Sequence, residues 1–255
     1  MRAPEELRSL IEGYLLSLDL SGDLGDLQDS MRYALSGGGK RVRPVLCLAT
    51  AEAVGCEPEK ALPAAAALEL VHSFSLVHDD LPALDDDAER RGRPSTHIQW
   101  GEAVAILAGD ALLGEAVRLA LSYPSPSVAR ELIAATQGMI GGQYLDITGI
   151  GELAELHRLK TGRLFAAAIG LALEVAELPE PEQAPWRAFA EELGLLFQLV
   201  DDLLDRDGYV LVHGVEETRR LADEAAARAQ AKLAEIDADT SVLEEIVAGL
   251  AARTS

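Results

Sequence analysis

Apolar and polar residues alternate along most of this chain with the period of an α-helix. The pattern is clearest in residues 3–18, 101–122 and 186–205, where apolar residues recur every three or four positions. A period near 3.6 residues places them on one face, so these segments are predicted to be amphipathic helices. Further helices are predicted over residues 63–80, 127–147 and 152–176, and from residue 216 onward.

Glycine, proline and serine mark the ends of these helices. Residues 36–44, SGGGKRVRP, form a glycine-rich break that carries three basic residues, and residues 179–185, PEPEQAP, are predicted to be a turn. Ser127 is predicted to be an N-cap. Neither a strand pattern nor an internal repeat is evident, so the sequence predicts one all-α domain spanning residues 1–255.

Composition supports a soluble globular helical protein. Of the 255 residues 49% are hydrophobic, 25% charged and only 4% aromatic. The formal net charge of −21 disfavours nucleic acid and anionic lipid as partners. It also repels anionic substrates, unless a divalent metal inverts the charge locally.

Localisation is predicted to be cytoplasmic. The chain has two cysteines, which are too few for a disulfide framework. Its N-terminal segment does not resemble a signal peptide, and it has no uncharged apolar stretch of about 18 residues. Stable membrane insertion is therefore not expected.

Two acidic clusters each follow a strongly apolar helix. Residues 76–94 read LVHDDLPALDDDAERRGRP, and residues 197–208 read FQLVDDLLDRDG. One such cluster is more often a solvated helix end. Carboxylates on two core helices are costly unless a cation neutralises them, and oxygen-only ligands suit Mg²⁺.

Basic residues lie beside these acids and beside glycines. They are Lys40, Arg41, Arg43, Arg90, Arg91, Arg93 and Lys160. Such clustering is typical of a diphosphate site. Surface ion pairing is the alternative for Arg41 and Arg93, and a core position is the alternative for His72 and His78.

Together these motifs resemble the trans-isoprenyl diphosphate synthases, the family of farnesyl and geranylgeranyl diphosphate synthases. The motifs that carry the resemblance occur in family order and are GGGKRVRP, HSFSLVHDDLPALDDDAERRGRPSTH, AILAGDALL, GGQYLDI, KTG and FQLVDDLLD. The resemblance implies an antiparallel helical bundle around a central cavity, the isoprenoid synthase fold, usually as a homodimer. It also implies a prenyltransferase in which an allylic diphosphate ionises with about three Mg²⁺ ions and isopentenyl diphosphate attacks the carbocation.

The resemblance implies roles for individual residues. Asp79, Asp85, Asp201 and Asp205 belong to the metal set, the first three holding metal directly, and Asp80 and Asp202 support them. The allylic substrate would contact Arg90, Lys160, Thr161 and Gln198. The diphosphate of isopentenyl diphosphate would be held by Lys40, Arg43, His72 and Arg91.

Product length is predicted from the cavity floor. Phe74, the fifth residue before Asp79, and its neighbour Ser75 are predicted to form that floor. In bacterial-type family members an aromatic residue there accompanies a fifteen-carbon product, so farnesyl diphosphate is predicted and geranylgeranyl diphosphate is the alternative.

Two stretches are shorter than the family pattern, near residues 147–152 and 207–209. The second stretch lacks lysines of the family pattern that would contact the diphosphate. Either a natural deletion weakens allylic binding, or mobile loops are absent from this sequence. The rival interpretations are a silent subunit, a terpene cyclase and a helical scaffold. The two intact acidic clusters argue against the silent subunit and the scaffold. Lys40, Arg43 and His72 argue against the cyclase.

Overall fold

The computed structural model describes residues 1–20 and 22–254 and is almost wholly helical, which confirms the predicted all-α class. The helices are α1 Pro4–Ser17, α2 Leu27–Ser36, α3 Val42–Ala53, α4 Pro58–Asp79, α5 Thr96–Trp100, α6 Glu102–Ala120, α7 Ser127–Thr148, α8 Leu153–His157, α9 Arg163–Val175, α10 Glu180–Asp205, α11 Gly208–His213, α12 Val215–Ala234 and α13 Ser241–Ala251. A π-helical turn, Arg158–Gly162, joins α8 to α9.

Helix α4 runs through the centre of the bundle and packs against α3, α6 and α9. Residues 64–67 are four consecutive alanines with no exposed surface, and Leu68, Leu70 and Val71 are equally buried. Because alanine side chains are small, neighbouring helices approach α4 on all sides. This explains why aromatic residues are scarce, and it sets the acidic end of α4 inside the molecule.

One helix is long and apolar enough to cross a membrane by length and composition. It is the core helix Pro58–Asp79, and 67% of its most apolar window is buried inside the protein. A core helix of a globular domain has this property as well, so the finding is weak evidence for a membrane span.

The two-residue strands β1 Glu89–Arg90 and β2 Arg93–Pro94 form a hairpin that the sequence pattern did not predict. Strands this short carry no alternation to detect. Two other predictions were wrong. Residues 180–185 belong to α10 instead of forming a turn, and Pro126 occupies the N-cap position that was assigned to Ser127.

Helix α4 begins at Pro58, five residues before the predicted start, so Pro63 lies inside it. A proline there removes one helical hydrogen bond and crowds the preceding turn. Tyr123 bridges the adjacent turn: its hydroxyl donates to the Lys60 carbonyl oxygen at 2.8 Å and accepts from the Ala64 amide at 3.1 Å. The Tyr123 hydroxyl is thus a partner of two backbone groups in the turn beside Pro63.

Replacing Tyr123 with phenylalanine is therefore expected to lower the free energy of unfolding by about 1 kcal/mol, because the Ala64 amide and the Lys60 carbonyl oxygen lose their shared partner. Urea unfolding at constant m-value measures this loss. Tyr144→Phe is the matched control, since Tyr144 is 61% exposed. Equal stability of the two variants would contradict the bridging role.

Candidate active site

The glycine-rich break lies between α2 and α3 and holds its basic residues at different depths. Arg41 is buried and donates to Glu69 Oε1 at 2.5 Å and to the Leu35 carbonyl oxygen at 2.6 Å. A buried guanidinium requires such partners. The ion-pair interpretation therefore holds for Arg41, although the pair is internal rather than on the surface.

All three basic residues of the break line a cavity of about 600 Å³, here called the cation cavity. Its charged and titratable lining consists of Arg8, Lys40, Arg41, Arg43, Glu69, His72, Arg91, Asp201 and Arg253. The chain has only 22 lysines and arginines against 43 acids, so six cations around one cavity reverse the sign of the overall charge there. Such a lining suits a ligand with several negative charges.

Arg43 and His72 form the inner wall of the cation cavity. Burial lowers the pKa of Arg43, and its guanidinium carbon lies 4.7 Å from the centre of the Phe165 ring. Arg43 Nε is buried without a hydrogen-bond partner among the described residues, which leaves a donor for a ligand. Burial lowers the pKa of His72 well below its ordinary value, and the nearby charges of Arg43 and Arg91 lower it further. His72 is therefore neutral at pH 7.

A second cavity of about 410 Å³, here called the apolar cavity, adjoins the first. Its apolar lining includes Phe74, Leu84, Met139, Ile140, Ile147 and Leu164. Its polar lining is Arg43, His72, Ser75, His78, Asp79, Gln143, Tyr144, Lys160 and Thr161. Because Arg43 and His72 line both cavities, the two meet at these side chains.

Asp79 lies at the end of α4 and lines the apolar cavity. After it the chain turns back on itself, so that the Asp85 amide donates to the Asp79 carbonyl oxygen at 2.9 Å. This turn explains how two acids six residues apart become neighbours. Burial raises the pKa of Asp79 to about 6, the Asp85 charge adds to this rise, and Lys160 opposes it.

Asp201 lines the cation cavity from α10. Burial raises the pKa of its carboxyl to about 6, with a further rise from Asp205 and a reduction from Arg43. Both acidic clusters thus place one partly buried carboxyl at the cavities. Asp85 and Asp205 are exposed and line neither cavity.

Lys160 and Thr161 reach the apolar cavity from the π-helical turn. Helix α7 crosses this turn closely at Gly142, where an added Cβ would lie 2.3 Å from the Lys160 amide nitrogen. Only glycine permits that approach. The Lys160 ammonium donates to the Asp146 carboxylate, which holds it at the cavity wall.

His78 also lines the apolar cavity, but its ring is held by helix α6. Its Nε2 lies 3.1 Å from the Ile106 carbonyl oxygen, and a Cβ on Gly109 would lie 2.2 Å from the same nitrogen. His78 is thus anchored to α6 while its side chain stays 27% exposed at the cavity, so it is not a fully buried core histidine.

Four predicted site residues pair with one another and line neither of these two cavities. The Asp80 carboxylate is 3% exposed and accepts from Arg90 Nε at 2.9 Å. Arg90 therefore forms an ion pair with Asp80 and lines neither cavity. Likewise, Gln198 Nε2 donates to Asp202 Oδ1 at 2.5 Å.

Asp202 is 2% exposed and accepts from the Tyr209 amide as well, at 2.7 Å. Tyr209 belongs to α11, which begins at Gly208, inside the short stretch at 207–209. The contacts of Asp202 therefore depend on that connection.

Sequence reasoning missed Arg8 and Arg253, which line the cation cavity from α1 and from the turn after α13. Neither residue belongs to a motif. It also missed Tyr144, whose motif GGQYLDI was used only for the resemblance.

The residues present fit a magnesium ion that is shared with a substrate. Among residues 1–20 and 22–254, no three His, Cys, Asp or Glu side chains form a ready-made metal cage. Mg²⁺ usually takes one or two carboxylates and completes its shell with water and phosphate oxygens. Asp79 and Asp201 offer such carboxylates beside a cationic cavity.

These two raised pKa values predict how pH affects stability. Folding raises each pKa to about 6, so the metal-free protein loses stability as pH rises through about 6 and the carboxyls ionise. Mg²⁺ binds only the ionised form. We expect 10 mM Mg²⁺, roughly a saturating amount, to raise Tm clearly at pH 7.5 and hardly at pH 5.

Calorimetry measures this difference, and the double variant D79N/D201N is the control that should lose the Mg²⁺ effect at both pH values. An equal rise in Tm at both pH values in the unaltered protein would contradict the assignment.

Comparisons with known proteins agree with this geometry. The sequence model of the polyprenyl synthetase family matches residues 25–214. A geranylgeranyl diphosphate synthase from Cyanophora paradoxa is 41% identical over 217 residues, covering 78% of this chain and 72% of the relative. A farnesyl diphosphate synthase from Bacillus subtilis is 40% identical over 198 residues, covering 71% of this chain and 67% of the relative.

Among solved structures, a geranyltransferase from Legionella pneumophila superposes with a TM-score of 0.89 at 30% identity. The match covers 98% of this chain and 96% of that one. The predicted fold, a helical bundle of the isoprenoid synthase type, is thereby confirmed.

Proposed function

The chain belongs to the polyprenyl synthetase family of prenyltransferases, and on that premise we propose that it condenses isopentenyl diphosphate with an allylic diphosphate to give farnesyl diphosphate. The observation that supports this proposal best is the pair of cavities joined at Arg43 and His72. One cavity is cationic and the other is apolar, as the two ends of a prenyl diphosphate require.

In this proposal the cation cavity receives the diphosphate of isopentenyl diphosphate. Lys40, Arg43 and Arg91 donate charged hydrogen bonds to it, and neutral His72 adds a donor without a further charge to desolvate. The allylic chain lies in the apolar cavity, with its diphosphate near Asp79, Lys160 and Thr161.

The leaving diphosphate gains negative charge as its bond to carbon breaks. Mg²⁺, held by Asp79 and Asp201 with help from Asp85 and Asp205, would supply the neutralising charge, and we propose about three ions per site. The Lys160 ammonium adds a fixed positive charge at the cavity wall. No protein nucleophile is needed, and the departing diphosphate accepts the proton that is lost.

Arg90, Gln198, Asp80 and Asp202 have supporting roles in this proposal. Asp80 fixes Arg90 through two guanidinium nitrogens, and Asp202 fixes Gln198. Direct contact of Arg90 or Gln198 with the allylic diphosphate requires these pairs to open when the substrate binds.

Phe74 supports the farnesyl product. Its ring lines the apolar cavity beside Ser75, and only 6% of Phe74 is exposed. A ring at this level limits the length of chain that the cavity admits. Relatives carry both the farnesyl and the geranylgeranyl name, so geranylgeranyl diphosphate is the second candidate product.

We further propose a homodimer that resides in the cytoplasm. Helices α6 and α7 expose the apolar side chains of Ile106, Leu107 and Ile133, which a second copy would cover. Both cysteines are free, as in a reducing compartment. Light scattering of the purified protein measures the subunit number.

A product assay tests the proposed function. The protein is incubated with Mg²⁺, labelled isopentenyl diphosphate and dimethylallyl diphosphate, and the dephosphorylated alcohols are then sized. A fifteen-carbon product that disappears with chelator supports the proposal, and a twenty-carbon product favours the second candidate. No product with any allylic starter would refute it and favour a silent subunit that lacks the lysine-bearing loop.

A further inference from the structure

The hairpin formed by β1 and β2 carries Arg91 at its tip but is too short to hold itself. Arg90 pairs with Arg93, and the two residues between them, Arg91 and Gly92, both have left-handed backbones, with φ of 55° and 73°. Positive φ at both positions is typical of a tight hairpin turn. An isolated two-stranded hairpin is marginally stable at best. Something else must therefore fix its position.

Tyr33, on α2, contacts the hairpin in two ways. Its hydroxyl donates to the Pro94 carbonyl oxygen at 2.7 Å. The Arg93 guanidinium carbon lies 4.0 Å from the centre of its ring, a cation–π distance. The second strand of the hairpin is thus attached to a residue of the helix that precedes the glycine-rich break.

The Tyr33 ring is itself held by a second aromatic residue. Trp100, at the end of α5, meets it edge to face with the ring centres 4.6 Å apart. Arg93 Nη1 also donates to Ser36 Oγ at 3.3 Å, one turn further along α2. These contacts restrict both the tilt and the rotation of the hairpin.

Arg91 reaches the cation cavity only from this position. Its guanidinium donates to the Gly38 carbonyl oxygen and lies so close to Gly39 that an added Cβ would be 2.7 Å from Nη1. Tyr33 does not line the cation cavity, whereas Arg91 does. Because Tyr33 contacts the hairpin that carries Arg91, we expect an effect of Tyr33 on a ligand in that cavity to act through Arg91.

We propose that Tyr33 is a positioning residue for the cation cavity: its ring and hydroxyl hold the hairpin so that Arg91 binds a diphosphate there. This inference rests on the proposed function for the identity of the ligand. Surface ion pairing was the alternative role for Arg93; in the structure its guanidinium instead contacts the Tyr33 ring.

The test measures binding of inorganic pyrophosphate by titration calorimetry with a chelator present, so that only the cation cavity contributes. We expect Tyr33→Leu to weaken pyrophosphate binding about tenfold, because this change removes one cation–π contact and one hydrogen bond. Tyr33→Phe keeps the ring and loses only the hydroxyl bond, so about threefold is expected. Tyr123→Phe removes a hydroxyl bridge whose residues line neither cavity, and this variant should bind pyrophosphate as the unaltered protein does.

A double-mutant cycle with Arg91→Ala separates positioning from general loss of structure. If Tyr33 acts through Arg91, the variant Y33L/R91A binds pyrophosphate no more weakly than R91A alone. Additive losses would overturn the inference, and so would unchanged binding by Y33L. If Y33L does not fold, Y33F/R91A is compared with R91A in its place.

In turnover, Y33L should raise KM for isopentenyl diphosphate about tenfold, in proportion to the binding loss, with kcat within about twofold. A further outcome is that the unaltered protein forms no product and yet binds pyrophosphate, with losses in the double-mutant cycle that are not additive. That result would refute the proposed function and leave the positioning role intact. Failure of the unaltered protein to bind pyrophosphate overturns the positioning role itself.

Discussion

Replacing Asp79 with asparagine is expected to lower kcat/KM for prenyl transfer by about 10²–10³-fold, the usual cost of removing one preorganised electrostatic group. Asparagine keeps the size of the side chain and one oxygen but removes the negative charge that attracts the cation. Asp79 is partly buried at the apolar cavity, and burial raises its pKa to about 6. Lys160 offsets only part of the free energy cost of its charge, and a bound cation would offset more of it.

Asp86→Asn is the matched control for this prediction. Asp86 lies in the same acidic cluster but is exposed and lines neither cavity. Its backbone is left-handed, with φ of 53°, a conformation that asparagine tolerates well. The control variant should keep activity within about twofold, the effect of a surface change.

Steady-state kinetics at pH 7.5 with saturating Mg²⁺ compares the two variants. A D79N protein that is folded and stays within fivefold of the unaltered enzyme, roughly 1 kcal/mol, would remove Asp79 from the metal set. Equal losses in D79N and D86N would mean that the total charge of the cluster matters, rather than the position of one carboxylate. Asp201→Asn is expected to resemble D79N because its carboxyl has the same burial-raised pKa at the other cavity.

The helical fold could be predicted from apolar periodicity, but the role of proline could not. Pro181 and Pro185 suggested a turn, yet Pro181 lies in the first turn of α10 and Pro185 is the sixth residue of that helix. A proline near a helix start costs little because the first amides have no helical acceptor. Pro63, like Pro185, is the sixth residue of its helix, and the Tyr123 hydroxyl, sixty residues away in sequence, bridges the turn beside it. No local pattern contains that contact.

In the candidate site, too, residues within motifs could be predicted from the sequence, whereas residues brought in by tertiary contacts could not. Arg43, His72 and Lys160 could be found because each belongs to a recognisable motif, and the structure brings all three to the two cavities. Arg8 and Arg253 line the same cation cavity from opposite ends of the chain. Their placement follows from tertiary packing alone, so sequence spacing held no information about it.

The pairing of Arg90 with Asp80 shows a further limit of motif reasoning. Both residues belong to one motif and were predicted to serve the substrate and the metal. In the folded chain they satisfy each other, since Asp80 is buried and needs a donor. A motif identifies residues that matter for a site without distinguishing those that contact the ligand from those that orient their neighbours.

Replacing Phe74 with alanine is expected to shift the product from fifteen carbons to twenty or more. The ring lines the apolar cavity beside Ser75, in the turn of α4 that precedes Asp79, so its removal deepens the space below the reacting carbon. A Phe→Ala change in a fully packed core lowers the free energy of unfolding by about 3–5 kcal/mol. The loss should be smaller here because the Phe74 ring borders a cavity. Chromatography of the dephosphorylated alcohols measures the product length, and calorimetry confirms folding.

Met139→Leu is the control for this last prediction, because it conserves volume in the same cavity. Its product should match that of the unaltered enzyme. A folded F74A protein with an unchanged product would mean that the chain stops against another part of the wall. The reverse change, Ser75→Phe, adds a second ring to the same turn and should stop the chain earlier, at ten carbons. A longer product from F74A together with a shorter product from S75F would establish this turn of α4 as the floor of the cavity. The two variants change the side-chain volume in opposite directions and have only their position in common.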